Sequence, residues 1–482
     1  MEYSIVNYSD ILRQFDMRFD ADYYKPKYLR EDKQLNKHES ILVGDFSFVT
    51  DGQHGYHEVD ENSPILHLTA KNAKDWFANT IGADRIAKWV DDKNKRSSLV
   101  ENDLILSTRG TVGYCAIVKS NVLPANIDQD VARIAISDDF FLPEYLLTFL
   151  NCEFGQGWIK RNTTGMVQQG LSLQKVRQAP IPLLGNNFQY RIKTIVDNAH
   201  TCITNSELLF ANTQTILLSE LGLTNWQPKH QLTFVKNYSD TEQAGRIDAE
   251  YFQPKYEEII KAIKNYHSGW DTLKNLCELV GHPSNPPYAD TDDTDKTFIV
   301  TQKHLGDFSL NDEFWNDAEA LYTTREFIDK NCQYVLKKGD VLLYSVGAYI
   351  GKANIYMENV KATIGSFLTL LRTKKDRLNP YYLMSFLNTD VGIAISKQHQ
   401  RGMAQQYLYP YDIRTFPIPL LPEQKQTEIQ QKVTESFALR KQSKHLLECA
   451  KRAVEIAIEQ DEKKAINWLK EQTQDIANGV AH

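Results

Sequence analysis

Cysteine is scarce and none is placed for metal work: Cys115, Cys152, Cys202, Cys277, Cys332 and Cys449 stand singly, with no Cys-x-x-Cys pair and no two-cysteine, two-histidine set at zinc-ligand spacing. That excludes a zinc frame and a disulfide frame, and leaves reduced, mostly buried thiols as the expectation. Long apolar runs are missing too, and no charged-then-apolar leader follows Met1, so a soluble, unprocessed, cytoplasmic chain with no membrane partner is expected. Positive charge is not in excess: 55 Lys and Arg stand against 62 Asp and Glu, a net charge of -7. A protein that wraps nucleic acid unaided needs a basic surface, so for such a partner other subunits would have to supply charge. There is also no Gly-x-x-x-x-Gly-Lys-Ser/Thr loop, no Gly-x-Ser-x-Gly elbow, no His-Glu-x-x-His helix and no nuclease-like carboxylate group. The chain reads as a binder without catalysis or metal.

What the chain does have is a repeat. Gly165-Met166-Val167-Gln168-Gln169, running on to Pro180-Ile181-Pro182-Leu183-Leu184, returns 237 residues later as Gly402-Met403-Ala404-Gln405-Gln406, running on to Pro417-Ile418-Pro419-Leu420-Leu421. Eleven of the twenty positions are identical without a gap. Arg18 to Tyr28 likewise matches Arg246 to Tyr256 at seven of eleven positions, Asp103 to Gly110 pairs with Asp340 to Gly347, and Leu142 to Asn151 pairs with a near copy ending Phe386-Leu387-Asn388. Two homologous modules on one chain read as recognising two similar things at a fixed separation.

After each Pro-Ile-Pro-Leu-Leu block the apolar period becomes helical. Ile192, Val196, Ala199, Ile203, Phe210 and Leu217 mark a helix of about 35 residues, with Asn186 or Asn187 as N-cap and Gly222 and Pro228 as stops. Ile429, Val433, Leu439, Leu446, Ala450, Val454 and Ala457 mark a second, entered at Pro422-Glu423 and running towards Trp468. At about 1.5 Å per residue such helices span on the order of 50 Å, and their narrow apolar stripes want one partner helix each. The expected architecture is α+β: two homologous globular recognition domains in a pseudo-twofold arrangement, separated by two long helices paired as an antiparallel coiled coil. The expected division is a first recognition domain over 1–184, a spacer helix over 185–223, a linker over 224–245, a second recognition domain over 246–421, a spacer helix over 422–472 and a flexible tail over 473–482.

Within each module, Leu104-Ile105-Leu106 and Val341-Leu342-Leu343 read as buried strands followed by glycines, Gly110 and Gly113 or Gly347 and Gly351. Glycines there let a backbone approach another surface, or simply make a hairpin turn. The flanking Ser107, Thr108, Arg109, Thr111, Tyr344, Ser345 and Tyr349 offer donors to phosphates or base edges. Lys71 and Asn72 in the first module and Gln302 and Lys303 in the second join them as candidate DNA-binding residues. The loops before the Gly-Met blocks, with Thr163 and Thr164 in one half and Gln398, Gln400 and Arg401 in the other, are polar, different from each other and set in a matching frame. Asn and Gln suit adenine, and Arg suits guanine. Clusters at Lys88, Lys93, Lys95 and Arg96, and at Lys374, Lys375 and Arg377, are further candidates for phosphate contact or are plain solvated faces.

Asn285-Pro286-Pro287-Tyr288 spells the tetrapeptide with which N6-adenine methyltransferases hold an extruded adenine. No Phe-x-Gly-x-Gly or similar loop for S-adenosylmethionine accompanies it, so a turn after a short helix is the expectation. A self-contained adenine methyltransferase and a repeated-module protein scaffold stand as the alternative readings.

Two variable modules, each closing with Gly-x-x-Gln-Gln and Pro-Ile-Pro-Leu-Leu before a long helix, resemble the specificity subunit of type I restriction-modification systems. Pro422-Glu423-Gln424, the strand Asp340 to Leu343 running into Gly347, and the turn Gly281-His282-Pro283-Ser284 resemble that family as well. The resemblance covers almost the whole chain and implies a non-catalytic subunit in phage defence. Its two target recognition domains would each read half of a bipartite double-stranded DNA sequence, with the helices fixing the gap. It also implies two modification (methyltransferase) subunits that bring S-adenosylmethionine and methylate adenine. Restriction/motor subunits using ATP and magnesium would join them, and no cofactor would sit in this chain. One departure stands out: Gly185-Asn186-Asn187 occupies the place of Pro-Glu-Gln before the first helix.

Overall fold

A computed structural model describes residues 4–12, 17–55, 57–165, 169–289, 295–311, 314, 320–347, 349–402 and 405–477. The chain forms two compact units, 1–204 with 440–482, and 205–439. The dividing points therefore fall inside both long helices, where the sequence places module boundaries at the helix ends. The reason is packing: each module builds its core with half of each helix. In the second unit Phe210 and Leu217 of the first helix and Ile429 and Val433 of the second join one cluster with Tyr256, Leu343 and Phe416.

The first unit contains β1 (Ser40–Leu42), β2 (Ser47–Asp51), β3 (Leu66–Leu68), β4 (Asp84–Arg85), β5 (Leu104–Ser107), β6 (Cys115–Ile117), β7 (Ala125–Ile127), β8 (Val131–Ile136) and β9 (Pro180–Pro182). They make an antiparallel sheet β2-β8-β5-β6, a sheet β4-β3-β7 in which β3 and β7 run parallel, and a ribbon β1-β9. The second unit contains β10 (Trp270–Thr272), β11 (Cys277–Gly281), β12 (Thr297–Val300), β13 (Tyr322–Thr323), β14 (Asp340–Tyr344), β15 (Ala353–Tyr356), β16 (Ala362–Ile364), β17 (Leu368–Thr373) and β18 (Pro417–Pro419). Its sheets are β11-β17-β14-β15, β13-β12-β16 and β10-β18, the same topology strand for strand. β5 and β14 are buried at every position, as their unalternated apolar runs require. The Pro-Ile-Pro strands sit in two-stranded ribbons, the setting in which proline's missing N–H does least harm.

The repeat is kept in individual bonds as well as in topology. Tyr145 Oη donates to the Pro182 carbonyl at 2.8 Å, and Tyr382 Oη to the Pro419 carbonyl at 2.6 Å. Buried Asp103 accepts from Arg133 Nε at 2.7 Å and from the Val100 N–H at 2.8 Å; buried Asp340 accepts from Arg372 Nε and Nη2 at 2.8 and 2.7 Å and from the Lys337 N–H at 2.7 Å. Burial pushes the Asp103 carboxyl up, against the opposing pull of Arg133 and the Val100 N–H.

The first long helix is Asn186–Glu220, ended by Gly222 at φ 67° with the Leu223 N–H bonded back to the Leu218 carbonyl at 2.8 Å, a glycine-dependent helix stop. Its start survives the loss of Pro-Glu-Gln because Gln189 bridges Leu184 and Leu142 (Nε2 to O 2.9 Å, Oε1 from N 3.0 Å). In the second unit Gln426 bridges Leu421 and Asn379 in the same way, at 2.8 and 2.9 Å. The second long helix is Glu423–Glu459, and not one helix to 472: the chain turns at Gln460 and Asp461 and continues as Glu462–Ala477. Asp461 Oδ1 accepts from the Lys464 N–H at 2.8 Å, an N-cap that an uninterrupted helix would not offer. The segment expected as tail is thus helical to Ala477, and 478–482 lies outside the described residues. The expected linker holds a helix of its own, Tyr238–Ala244, closed by Gly245 at φ 60°.

The two long helices pair antiparallel. Ser443 Oγ donates to the Ala199 carbonyl at 2.8 Å, and Ser206 and Ser436 meet Oγ to Oγ at 2.8 Å; the partner number falls by seven as the first rises by seven. Ala199, Ser206 and Thr213 lie fully buried at heptad spacing, as do Ser436, Ser443 and Ala450. Small residues let the backbones close up, whereas the large Ile203 and Leu439 expected in the seam are only half-buried. Five of the six cysteines are buried, all are free thiols, and Cys332 is exposed. Among the described residues no helix is long and apolar enough to cross a membrane.

Candidate nucleic-acid interface

Candidates far apart in sequence meet at the end of β5 and of β14. In the first unit the turn from β5 to β6 is closed by Ser107, whose Oγ donates to the Thr111 carbonyl at 2.7 Å and accepts from the Tyr114 N–H at 2.9 Å. Thr108 passes its carbonyl to the Leu171 N–H at 2.8 Å, and Thr164 and Gly170 exchange backbone bonds at 2.9 and 2.8 Å. Thr164 and Gly170 are therefore a closed backbone pair, and Gly170 also bridges Arg109. In the second unit Ser345 bonds the Leu408 N–H at 2.8 Å, and Arg401 and Tyr407 exchange two bonds at 2.8 Å. Met166, Val167, Gln168, Met403 and Ala404 of the two shared blocks lie outside the described residues.

The glycines of these turns divide their work in both units. Gly110 and Gly347 have positive φ and open space where a Cβ would stand, while Gly113 and Gly351 press against Ile159 and Ser396. The hairpin turn is what the structure contains, and its first glycine leaves the backbone open to an approaching surface.

Several sequence candidates turn out to hold the loops and not to face outward. Asn72 is fully buried, accepting from the Thr69 N–H at 2.9 Å and donating to the Asn79 and Ile81 carbonyls at 3.0 and 3.1 Å. His304 fills the matching place, its Nδ1 accepting from the Thr301 N–H at 2.9 Å. Ser107 and Thr108 are buried, Thr108 Oγ1 donating to the Asp130 carbonyl at 2.9 Å. Tyr344 is buried with its hydroxyl on the Gln302 carbonyl at 2.8 Å, and burial pushes its pKa up to about 12. Buried Ser345 shares a 2.6 Å bond with Thr369. These corrections have one cause: a polar residue at a strand end is as readily recruited to close a turn as to meet a ligand.

Of the remaining candidates, Lys71, Thr111, Thr164 and Tyr349 are exposed, and the Arg109 side chain is 44% exposed with Asp130 at 3.5 Å. Thr163 is half-buried on the Ile159 carbonyl, 2.8 Å away. Gln398 donates to the Tyr251 carbonyl at 3.1 Å, and the Gln400 carbonyl accepts from Arg246 at 2.8 Å. Arg401 is held by Asp412 through Nε and Nη2 at 2.8 and 3.0 Å, so a guanine would compete with a carboxylate. Gln302 donates to the Val346 carbonyl at 2.5 Å, beside half-buried Lys303. In the basic clusters Lys88, Lys93 and Lys375 are exposed. Lys95 pairs with Asp91 at 2.6 Å, Arg96 with Asp51 at 3.0 Å and Arg377 with Asp271 at 3.2 Å, while Lys374 donates to the Asn275 carbonyl at 2.8 Å.

Asn285 to Tyr288 follow β11, which separates them from the short helix Leu273–Leu276 expected just before them. With Gln302, Lys303, Ser366 and Phe367 they line a cleft of about 330 Å³. Phe367, 50% exposed, escaped the sequence reading; it would have emerged from aligning the residue before β17 with Asp130 before β8. Among the described residues, no group of three or more His, Cys, Asp or Glu could hold a metal ion.

The described residues thus form two copies of one α+β module, each with polar residues at the same strand end. Residues 267–448 match the family described as "Type I restriction modification DNA specificity domain". The chain is 26% identical over 132 residues to the Escherichia coli type I restriction enzyme EcoBI specificity subunit, a stretch covering 27% of this chain and 26% of that protein. The matched stretch thus spans about a quarter of that curated relative's length. Among solved structures, the type I restriction-modification S subunit from M. genitalium covers 87% of this chain and 95% of its own at 11% identity and TM-score 0.39. The HsdS subunit from Thermoanaerobacter tengcongensis covers 88% and 97% at 16% identity and TM-score 0.28. This chain resembles the specificity subunits of type I restriction-modification systems.

Proposed function

We propose that this chain is the DNA specificity subunit of a type I restriction-modification complex, reading a bipartite double-stranded target with one module per half-site. The observation that carries the reading is the duplication itself. Anchors such as Gln189 and Gln426 are repeated bond for bond, while outward candidates differ between the modules, Arg109 standing where the second has Val346, and Thr163 and Thr164 where it has Gln400 and Arg401. A scaffold kept twice under tips that differ is what two readers of unlike half-sites require. The chain contributes no catalysis. Two modification subunits carry S-adenosylmethionine and methylate adenine, and restriction/motor subunits supply ATP- and magnesium-dependent cleavage. Those subunits also supply the positive charge that a chain of net charge -7 lacks for holding a duplex.

The test is to co-express the chain with its modification subunit in a methylation-free host and map modified adenines by single-molecule sequencing. A split motif with a constant gap is the expected result. A stable complex that leaves no new methylation would refute it.

A further inference from the structure

We propose, resting on that functional reading, that the cleft of the second module reads an A·T base pair of the second half-site, with Asn285 on adenine and Phe367 and Tyr288 on the thymine methyl. Asn285 Oδ1 accepts from Ser366 Oγ at 2.9 Å. With Oδ1 on Ser366, the amide keeps its second lone pair beside the two Nδ2 hydrogens. Such an acceptor and donor side by side match the N6 amino group and N7 of adenine in the major groove. The rings on the rim are exposed, Tyr288 at 70% and Phe367 at 50%. Phe367 can form no hydrogen bond, and the thymine C5-methyl is the one apolar group that a major-groove base edge presents. Among the described residues no carboxylate lines the cleft, and the one charged residue there is Lys303. Lys303 suits a flanking phosphate.

The first module shows that these are reading positions and not scaffold. The residue four after β11 is Asn285, and four after β2 it is Gly55; immediately before β17 stands Phe367, and before β8 Asp130. The strands beneath keep the same order in both units, with a bulge in the β11 pairing that β2 lacks, and the side chains at these two positions differ.

The experiment uses the full chain in complex with its modification subunits. Parent, Asn285→Ala and Phe367→Ala complexes are mapped for methylated motifs, then measured on duplexes carrying the mapped target with thymine or uracil at the assigned pair. Asn285→Ala is expected to relax one A·T position by roughly ten- to hundredfold, and Phe367→Ala to erase the thymine-over-uracil preference, both leaving the first half-site unchanged. The inference is overturned if both variants keep the parent motif, as they would if the rings served a protein contact, or if the relaxed position is G·C. A parent complex with no split motif removes the functional reading, and this inference with it. Because both side chains are exposed, unchanged far-UV circular dichroism is expected of each variant.

Discussion

Removing the Asp340 carboxylate should be among the most damaging single changes available in the second unit. Its side chain is 2% exposed and that of Arg372 is 13% exposed, so neither charge is screened by water. Asp340→Ala removes two charge-assisted bonds to Arg372 and the acceptor for the Lys337 N–H. Arg372 keeps the Gln333 and Val335 carbonyls at 3.0 and 2.8 Å but loses its counter-charge. Breaking a buried pair in this way costs about 3–5 kcal/mol, and the retained carbonyl bonds place this case near about 3. Urea unfolding followed by circular dichroism should show the corresponding midpoint falling by roughly 1 M or more at unchanged slope. Arg325 and Asp295 provide the control: they are 2.5 Å apart but have side chains 67% and 48% exposed, so Arg325→Ala should leave the midpoint where it was. If Asp340→Ala costs less than about 1 kcal/mol, or if the two pairs cost the same, burial is not what gives the Asp340 pair its weight. In a double-mutant cycle Arg372→Met should recover part of the Asp340→Ala loss, because it takes away the orphaned charge.

Gln426→Ala should destabilise the second unit by about 1–3 kcal/mol in the same assay, since it orphans the buried Leu421 carbonyl and the Asn379 N–H. Acid should weaken both units: burial holds His67 and His304 down at about 4, against an ordinary 6.5. With a depressed folded pKa, the neutral form's contribution is complete above 6.5 and is lost as pH falls from 6.5 towards 4, because the unfolded chain takes up a proton that the fold refuses. At pH 5 the loss is about 2 kcal/mol per histidine, and His67→Leu should remove one share of the slope between pH 7.5 and 5 in urea titrations; an unchanged slope would refute the assignment. Ser206→Leu should cost about 1–3 kcal/mol, because its hydroxyl touches Ser436 at 2.8 Å and a larger side chain must part the helices. Arg109→Ala should weaken duplex binding alike on all sequences and lower the salt slope by about one; a sequence-dependent effect instead would make Arg109 a base reader.

The repeat was legible because it needs only identity at fixed spacing, and the first long helix because Gly222 and the apolar stripe mark its end and its face. The seam was legible at its ends, where Ile192 and Leu217 are large, and illegible at its centre. Ser206, Thr213, Ser436 and Ser443 read as solvent-facing until two backbones are seen to close over them. The break at Asp461 was missed because the apolar pattern resumes at Ala465 and Leu469 as though nothing intervened. In the candidate interface, sequence singled out the loops at the ends of β5 and β14 but could not separate the side chains that close them from those that face outward. Ser107 and Thr111 are four residues apart and equally polar; only the Ser107 hydroxyl meeting the Thr111 carbonyl decides which one is buried.

On the proposed reading, that distinction bears on how one fold can serve two targets. The groups that fix each hairpin in space, Ser107, Thr108, Tyr344, Ser345 and the Asn72 or His304 cap, are buried and satisfied within the module, so exchanging them costs stability before it changes recognition. The outward groups, Arg109, Thr111, Tyr349, Asn285 and Phe367, carry few internal bonds, so their exchange costs the fold little. Stability and recognition therefore occupy neighbouring positions on the same loops but different side chains. A module of this kind can change what it contacts while the helix anchors at Gln189 and Gln426, and the seam between them, stay as they are.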